Sequence, residues 1–431
     1  MGEDKRKWYP WIGAIVGTLC VVGTSWSVFY PLLMEKFAVD VVAPWAAGSS
    51  IYGLANMIIA PIIAGPLVDK TGPKVTFGIA IVLFVLAAGS MYILDGTDNM
   101  NSGQIWWMAG SFMAGIAVGF YTGTMSATVS KWNPDNVGYA IGIDNIGPAL
   151  APVWIAPFAA AIVPSLGIGN GFAAIFGIGI LGILLFGFLP FKLPEPGWEP
   201  KDPVIHNAEG KKSMAEEANE NAMSFGEIVK TGRLWYMFIV VFIACFGYMA
   251  FTMNLSTILQ EGLGADASFA EVMATVSLAL QVGAIVNAIS RPIWGKIMDK
   301  LNSPWLTLCI IYILEAVGVV IFGLMFKSSI AIAIVAIMVI YFSGGGSAPI
   351  HMATAPSLFG TLNSGKVITV TLIGTGVAWV VAPYIGALMR DVTGTYVNVL
   401  ILITILMLLD AILAYIMVSR DKKARKAKEE A

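Results

Sequence analysis

The chain has 431 residues, of which 57% are hydrophobic and 12% charged, with a formal net charge of −2. An ordinary soluble protein is roughly a quarter charged, and a soluble fold of this length could not hide so much apolar surface. A soluble enzyme, a disordered scaffold and a nucleic-acid binder are therefore excluded, which leaves a polytopic membrane protein. A helix needs about 20 apolar residues to cross the hydrocarbon core, and backbone groups in lipid must bond within their own segment. Twelve segments qualify: 10–34, 45–68, 75–94, 105–129, 137–162, 170–190, 234–260, 270–296, 305–326, 330–351, 366–388 and 396–418. Lys5, Arg6 and Lys7 precede the first. The run Trp11–Met34 is too long for a signal peptide and lacks a small-residue cleavage site, so it reads as a retained span. Pro148, Pro152 and Pro157 are expected to bend the fifth span, and Pro349 the end of the tenth.

One long hydrophilic connection, 191–233, separates six spans from six. It holds Pro194, Pro196, Pro200 and Pro203, then a Lys/Glu/Asn-rich run around Glu216 and Asn221. The expected organisation is an N-terminal six-helix bundle (1–190), a cytoplasmic linker (191–233) with room for a short surface helix, a C-terminal six-helix bundle (234–418) and a basic cytoplasmic tail (419–431). With the N-terminus inside, Lys70, Lys74, Lys131, Lys296, Lys300, Lys366 and the tail from Arg420 to Lys428 also fall inside. The outer loops keep Lys36, Lys327 and Arg390. That asymmetry places both termini in the cytoplasm of a cell whose plasma membrane the protein spans.

Cys20, Cys245 and Cys309 each sit in an apolar run and suggest no disulfide framework. His206 and His351 are isolated, which argues against a metal site. There is no Walker loop, nucleophile elbow or Cys-x-x-Cys, so neither an enzyme nor a cofactor is expected. The two halves repeat instead. After the second span comes Gly65-Pro66-Leu67-Val68-Asp69-Lys70-Thr71-Gly72-Pro73-Lys74, and after the eighth Arg291-Pro292-Ile293-Trp294-Gly295-Lys296-Ile297-Met298-Asp299-Lys300. Each has Gly, an Asp four residues on, then Lys. A six-span repeat of this kind marks a transporter built from two related bundles around a central site.

The loop after the second span resembles the major facilitator motif G-x-x-x-D-[RK]-x-G-[RP]-[RK]. More narrowly, the chain resembles the oxalate/formate antiporter family, which is related to the monocarboxylate transporters. Thr24-Ser25-Trp26-Ser27-Val28-Phe29 is similar to that family's Y-[SA]-W-[ST]-V-F. Lys131-Trp132-Asn133-Pro134-Asp135 with Gly138 and Gly142 is similar to its R-W-F-P-D-x-R-G-x-x-x-G, and Thr231-Gly232-Arg233-Leu234-Trp235 to its T-P-x-F-W. Arg291-Pro292-Ile293-Trp294-Gly295 matches R-P-x-W-G, and Leu358-Phe359-Gly360-Thr361 resembles D-x-F-G-T. The resemblance implies an all-α fold of twelve transmembrane helices in two pseudo-symmetric bundles. Three departures stand out. Thr375 lies near the place where some oxalate-handling relatives carry lysine. Asn287 stands where animal monocarboxylate transporters have Asp, and Thr24 replaces the family's tyrosine.

Arg291 is the one basic residue within a span. Guanidinium keeps its proton and grips carboxylates in a bidentate fork, and at a helix centre it costs roughly 2.5–3.5 kcal/mol on insertion scales. It lies eight residues before Asp299, about 12 Å up the helix. The resemblance implies a substrate-carboxylate ligand; the alternative is an arginine snorkelling to the surface. Asp144 sits six residues past Gly138, about 9 Å into the fifth helix. The resemblance implies that helices 5 and 8 face one another, which makes Asp144 a partner for Arg291 and a candidate for proton coupling; a static bridge or an Asp turned to the inner vestibule are the alternatives. Glu315 and Asp410 are further intramembrane carboxyls, either proton sites or structural acids on peripheral helices.

Asn287, Tyr341, Tyr121, Trp26, Tyr30, Tyr248 and Thr375 are the remaining candidate substrate ligands, with ordinary packing the competing account of each ring. Asn56, Asn145 and Gln281 add uncharged polarity. The run Gly344-Gly345-Gly346 lies mid-span without a following Lys-Ser/Thr, so close helix packing or a gate is expected rather than a phosphate loop. Gly65, Asp69, Gly72 and Asp299 are implied to form a conformational latch. The expected function is secondary transport of small monocarboxylates with protons, or carboxylate exchange, by a monomer in the lipid bilayer. A membrane sensor is the third reading.

Overall fold

The computed structural model describes residues 2–133, 137–195, 198, 224–301, 303–359 and 364–429. Every regular element among them is helical. Eleven helices are long and apolar enough to span a bilayer: Arg6–Phe37, Ala43–Thr71, Pro73–Asp95, Met100–Trp132, Ile168–Phe188, Gly232–Thr252, Phe269–Met298, Pro304–Met325, Ile330–Ala355, Val370–Thr393 and Val397–Arg420. They coincide with eleven of the twelve expected spans.

The fifth span is present as four pieces, Val137–Asp144, Ile146–Leu150, Pro152–Ala161 and Val163–Leu166. Proline explains the interruptions. Pro148 cannot donate to the carbonyl of Asp144, four residues back, and its ring crowds that group. Pro152 follows the break at Ala151 and Pro164 the break at Ile162, whereas Pro157 lies inside Pro152–Ala161 without interrupting it. With this broken crossing the chain has the twelve-helix architecture. Irregular turns elsewhere also precede prolines. A 3-10 stretch, Val22–Phe29, leads to Pro31, and a π-type stretch, Leu54–Ile59, leads to Pro61. Locally altered helix geometry absorbs the missing donors.

The chain divides into two compact units. The first comprises Met1–Ala208, Met253–Gln260 and Ala267–Ala284; the second Glu209–Thr252, Glu261–Asp266 and Ile285–Ala431. The core of the first is an aromatic cluster. Trp26 lies 5.3 Å from Trp107 and 5.2 Å from Tyr52, ring centre to ring centre, with Phe29 and Phe172 alongside. Trp107 Nε1 donates to the Trp45 carbonyl at 2.7 Å. In the second unit Trp294, Trp305 and Tyr312 are buried among aliphatic residues of helices 7, 9, 10 and 12. Outward faces are apolar: Ile62, Val82, Leu324, Val335 and Ile412 are all exposed, as expected of side chains that meet lipid.

Each unit ties together the ends of its first and third helices. Lys36 Nζ donates to the Asp95 carbonyl at 2.7 Å and lies 3.8 Å from its carboxylate. Glu261 accepts from Lys327 at 2.8 Å, from the Thr395 hydroxyl at 2.6 Å and from the Tyr396 amide at 2.8 Å. The charge order is reversed between these ties. Ahead of helix 7, Ser224 and Glu227 cap the short helix Phe225–Lys230 reciprocally. Bonds from the Ser224 hydroxyl and amide hold the Glu227 carboxyl below its ordinary range.

Candidate functional site

Arg291 and Asn287 are four residues apart on the eighth helix, Phe269–Leu301, and so share a face. An Arg291 Nη donates to Asn287 Oδ1 at 3.3 Å. The Asn287 amide in turn donates to the Tyr248 hydroxyl at 3.0 Å and lies 3.4 Å from the Tyr341 carbonyl. The rings of Tyr248 and Tyr341 meet edge to face with centroids 5.8 Å apart. Four of the sequence candidates are thus brought into one group within the second unit.

What lets helices 7, 8 and 10 approach so closely is the glycine run. A Cβ at Gly344 would enter the Tyr248 ring, and one at Gly346 the Trp294 ring. A Cβ at Gly345 would lie 2.5 Å from the Asn287 carbonyl. The run is packing surface, as its place mid-span suggests. Ser290 Oγ donates to the Asn287 carbonyl at 2.8 Å, and Trp294 Nε1 to the Phe342 carbonyl at 2.9 Å, which fixes the rotation of helix 8 against helix 10. The Asn287 side chain is spent in both directions, orienting Arg291 with one atom and two neighbours with the other. A guanidinium oriented by an uncharged amide is suited to a planar anion that accepts two parallel bonds.

Thr375 Oγ1 lies 3.4 Å from Cys245 Sγ, between helices 7 and 11. It is uncharged, as its sequence requires.

In the first unit Asp144 ends the first piece of the broken fifth helix and is buried. Its Oδ2 is 3.5 Å from Ser126 Oγ, and its Oδ1 has no hydrogen-bond partner among the described residues. The absent side chain of Gly13 makes room for that oxygen. The Tyr121 hydroxyl donates to the Gly13 carbonyl at 2.6 Å. Trp26 donates to Ser111 Oγ at 3.2 Å inside the aromatic core, and the Tyr30 hydroxyl bonds that of Ser49.

Glu315 and Asp410 are buried in the second unit, 2% and 0% exposed. His351, an isolated histidine in the sequence, pairs in the fold: its Nε2 is 2.6 Å from the Tyr312 hydroxyl. Neither Tyr312 nor Ser126 carried a sequence signal, since a lone hydroxyl in an apolar run is ordinary. All three cysteines are free thiols, and no metal-holding cluster occurs among the described residues.

Of the latch residues, Asp69 accepts from Lys131 Nζ at 2.6 Å, joining the ends of helices 2 and 4. Gly72 turns the chain with φ +79, a conformation that favours glycine. Nothing lies within 4 Å of a Cβ at Gly65. The side chain of Asp299 is outside the described residues.

The Major Facilitator Superfamily model matches residues 12–357 and 274–431. The chain is 24% identical to an oxalate:formate antiporter of Oxalobacter formigenes over 367 residues, which is 84% of this chain and 79% of the relative. It is also 30% identical to an MFS-type transporter of Aspergillus fumigatus over 160 residues, 34% of this chain and 33% of that protein.

Proposed function

We propose that this chain, which belongs to the major facilitator superfamily, moves small monocarboxylates of the formate, acetate, lactate or pyruvate class across the plasma membrane together with protons, by alternating access. It is an integral multi-pass membrane transporter and not an enzyme. The observation that carries the substrate class is the Arg291 group, a guanidinium oriented by Asn287 and flanked by Tyr248 and Tyr341. A carboxylate docks there on the guanidinium. A dicarboxylate would favour a second fixed cation, and Thr375 supplies none, so monocarboxylates are preferred over oxalate.

Asp144 is the proposed proton acceptor. Its burial beside Ser126, with one oxygen lacking a hydrogen-bond partner among the described residues, suits a carboxyl that takes up a proton during the cycle. One anion and one proton moving together make the transport electroneutral. Both termini face the cytoplasm, and the monomer is the working unit. Carboxylate exchange is the second reading, favoured by the similarity to the oxalate:formate antiporter of Oxalobacter formigenes.

The test is uptake of labelled formate, acetate, lactate, pyruvate and oxalate into proteoliposomes, with and without an inward proton gradient. Wild-type protein should concentrate a monocarboxylate when the gradient is present. Arg291→Ala should abolish uptake, Arg291→Lys should weaken it, and Asp144→Asn should keep counterflow while losing accumulation. Wild-type affinity in a folded Arg291→Ala protein removes the substrate assignment. Exchange that ignores the gradient establishes the antiport reading instead.

A further inference from the structure

The two oxygens of Asp144 meet different surroundings. Oδ1 lies against helix 1, Arg6–Phe37, where a Cβ at Gly13 would overlap it. Helix 1 also covers the turn that follows. A Cβ at Gly147 would run into the Ala14 carbonyl, and one at Gly17 would come within 2.7 Å of Pro148 Cδ. Thr18 Oγ1 donates to the Gly147 carbonyl at 3.2 Å, and Trp154 Nε1 to the Thr18 carbonyl at 2.6 Å. The Gly13 carbonyl is taken by the Tyr121 hydroxyl. In this close-packed seam Oδ1 finds no hydrogen-bond partner among the described residues.

Oδ2 faces helix 4, Met100–Trp132, with Ser126 Oγ 3.5 Å away. That exceeds the ordinary O–H···O separation of about 2.7 Å, and contacts of this kind tighten in the working complex. Thr122, Ser126 and Ser130 follow one another at four-residue spacing, so their hydroxyls share a face of the helix. All three are half-buried, as are Gly123 and Ala127 beside them, whereas Tyr121, Met125, Thr128 and Val129 are buried. Ser130 Oγ donates to the Ser126 carbonyl at 2.5 Å, and the next residue, Lys131, is exposed at the helix end. Ser126 precedes Lys131 by five residues, about 7.5 Å along the axis. Asp144 itself is only 5% exposed. The acid is thus shut in, while the hydroxyl that touches it stands on the accessible stripe.

Helices 1 and 4 are the elements packed against the first piece of helix 5. Among the described residues, helix 1 brings Arg6 and Lys7 at its start, Tyr9, which bonds the Pro190 carbonyl, and Cys20, a buried thiol two turns beyond Gly13. Helix 4 brings Tyr121, bonded to Gly13, and Lys131, bonded to Asp69. The hydrogen bond to the Asp144 carboxyl comes from Ser126.

We propose that Ser126 is the relay through which Asp144 gains and loses its proton, with the Ser126–Ser130 face of helix 4 as the approach from the cytoplasmic side. The proposal rests on the Asp144 reading above. A hydroxyl donates one hydrogen and accepts through its lone pairs. On protonation the Ser126 O–H passes its proton to Asp144 Oδ2, while the Ser126 oxygen takes one from a hydronium ion, which leaves as water. Deprotonation runs the same bonds in reverse. Ser126 ends as it began, and one proton has moved between the cytoplasmic water and the carboxylate.

The experiment compares Ser126→Val with Ser126→Thr in the full-length protein. The two side chains have nearly the same shape, and only threonine keeps a hydroxyl. Entry of labelled formate and lactate into proteoliposomes is measured under an inward proton gradient, and counterflow, which needs no net proton movement, without one. The ratio of driven entry to counterflow should fall about tenfold or more in Ser126→Val and stay within about twofold of wild type in Ser126→Thr, since a positioned proton-transfer group contributes about 100-fold or more where that transfer limits the rate. An equal ratio in the two variants overturns the proposal. So does a loss of counterflow in Ser126→Val that matches its loss of driven entry, which is the mark of a packing role. If the branched variants do not fold, Ser126→Ala is compared with wild type on the same ratio. If wild type ignores the gradient, or Asp144→Asn still concentrates substrate, the Asp144 reading fails on its own. The relay is then judged by infrared spectroscopy of the protein in lipid nanodiscs. The Asp144 carboxyl band, identified by its loss in Asp144→Asn, should exchange hydrogen for deuterium about tenfold more slowly in Ser126→Val than in Ser126→Thr. An equal rate, or no such band, overturns the relay.

Discussion

Asn287→Asp is the sharpest perturbation of the Arg291 group, because it changes charge and almost no volume. The wild-type amide presents Oδ1 to Arg291 at 3.3 Å and its Nδ2 to the Tyr248 hydroxyl at 3.0 Å. A carboxylate keeps the first bond and makes it ionic. The Tyr248 hydroxyl can turn and donate, so the second bond survives with its direction reversed. What is lost is the contact with the Tyr341 carbonyl, 3.4 Å away, now acceptor against acceptor, at about 1 kcal/mol. The fold should therefore persist, with a small drop in melting temperature. Substrate binding should suffer more. A carboxylate four residues from Arg291 competes for the same guanidinium, and charge-assisted hydrogen bonds contribute about 1.5–3 kcal/mol. That corresponds to about 10- to 100-fold weaker carboxylate binding, at 1.4 kcal/mol per factor of ten. Protonating the new aspartate removes the competitor, so affinity should recover as pH falls. The assay is binding of labelled formate or acetate to purified protein at several pH values, with Asn287→Ala alongside. Unchanged affinity in a folded Asn287→Asp protein would refute the role given to Arg291.

Gly345→Ala should destabilise the second unit by about 1–3 kcal/mol, because its Cβ would lie 2.5 Å from a backbone carbonyl that cannot swing away. Gly295→Ala, with open space at the Cβ, should melt at or slightly above the wild-type temperature; equal melting of the two variants contradicts the packing role of the glycine run. Glu261→Ala loses three bonds, one of them to the backbone of Tyr396, and should cost about 1.5–3 kcal/mol. Lys327→Ala removes a half-exposed partner and should cost about 0–1 kcal/mol, so the reverse ranking in thermal melts would show that the lysine carries the tie. A cysteine introduced as Gly210→Cys should resist a membrane-impermeant thiol probe in intact cells and react once the membrane is opened. Labelling from outside would invert the proposed orientation.

Hydropathy is a local property, and local properties were legible along the chain. Eleven spans, the six-plus-six repeat and the apolar outward faces follow from runs of about 20 apolar residues. So does the singular place of Arg291, since a lone cation within a span stands out against its neighbours. Pro148, Pro152 and Pro157 signalled a disturbed fifth helix, but complete interruption at Asp144 and Asn145 depended on how the freed carbonyl and its turn were accommodated. The partners of buried groups are a different matter. Tyr312 meets His351 across 39 residues of sequence, and Asn287 meets Tyr341 across 54. Each pairing is set by helix rotation and by how closely two backbones approach. In the Arg291 group that approach is decided by whether a Cβ is present at Gly344, Gly345 and Gly346. Periodicity along one helix carries no record of which neighbour its buried face will meet, so composition and spacing determined the membrane fold, while the packed bundle decided which polar side chains became a site.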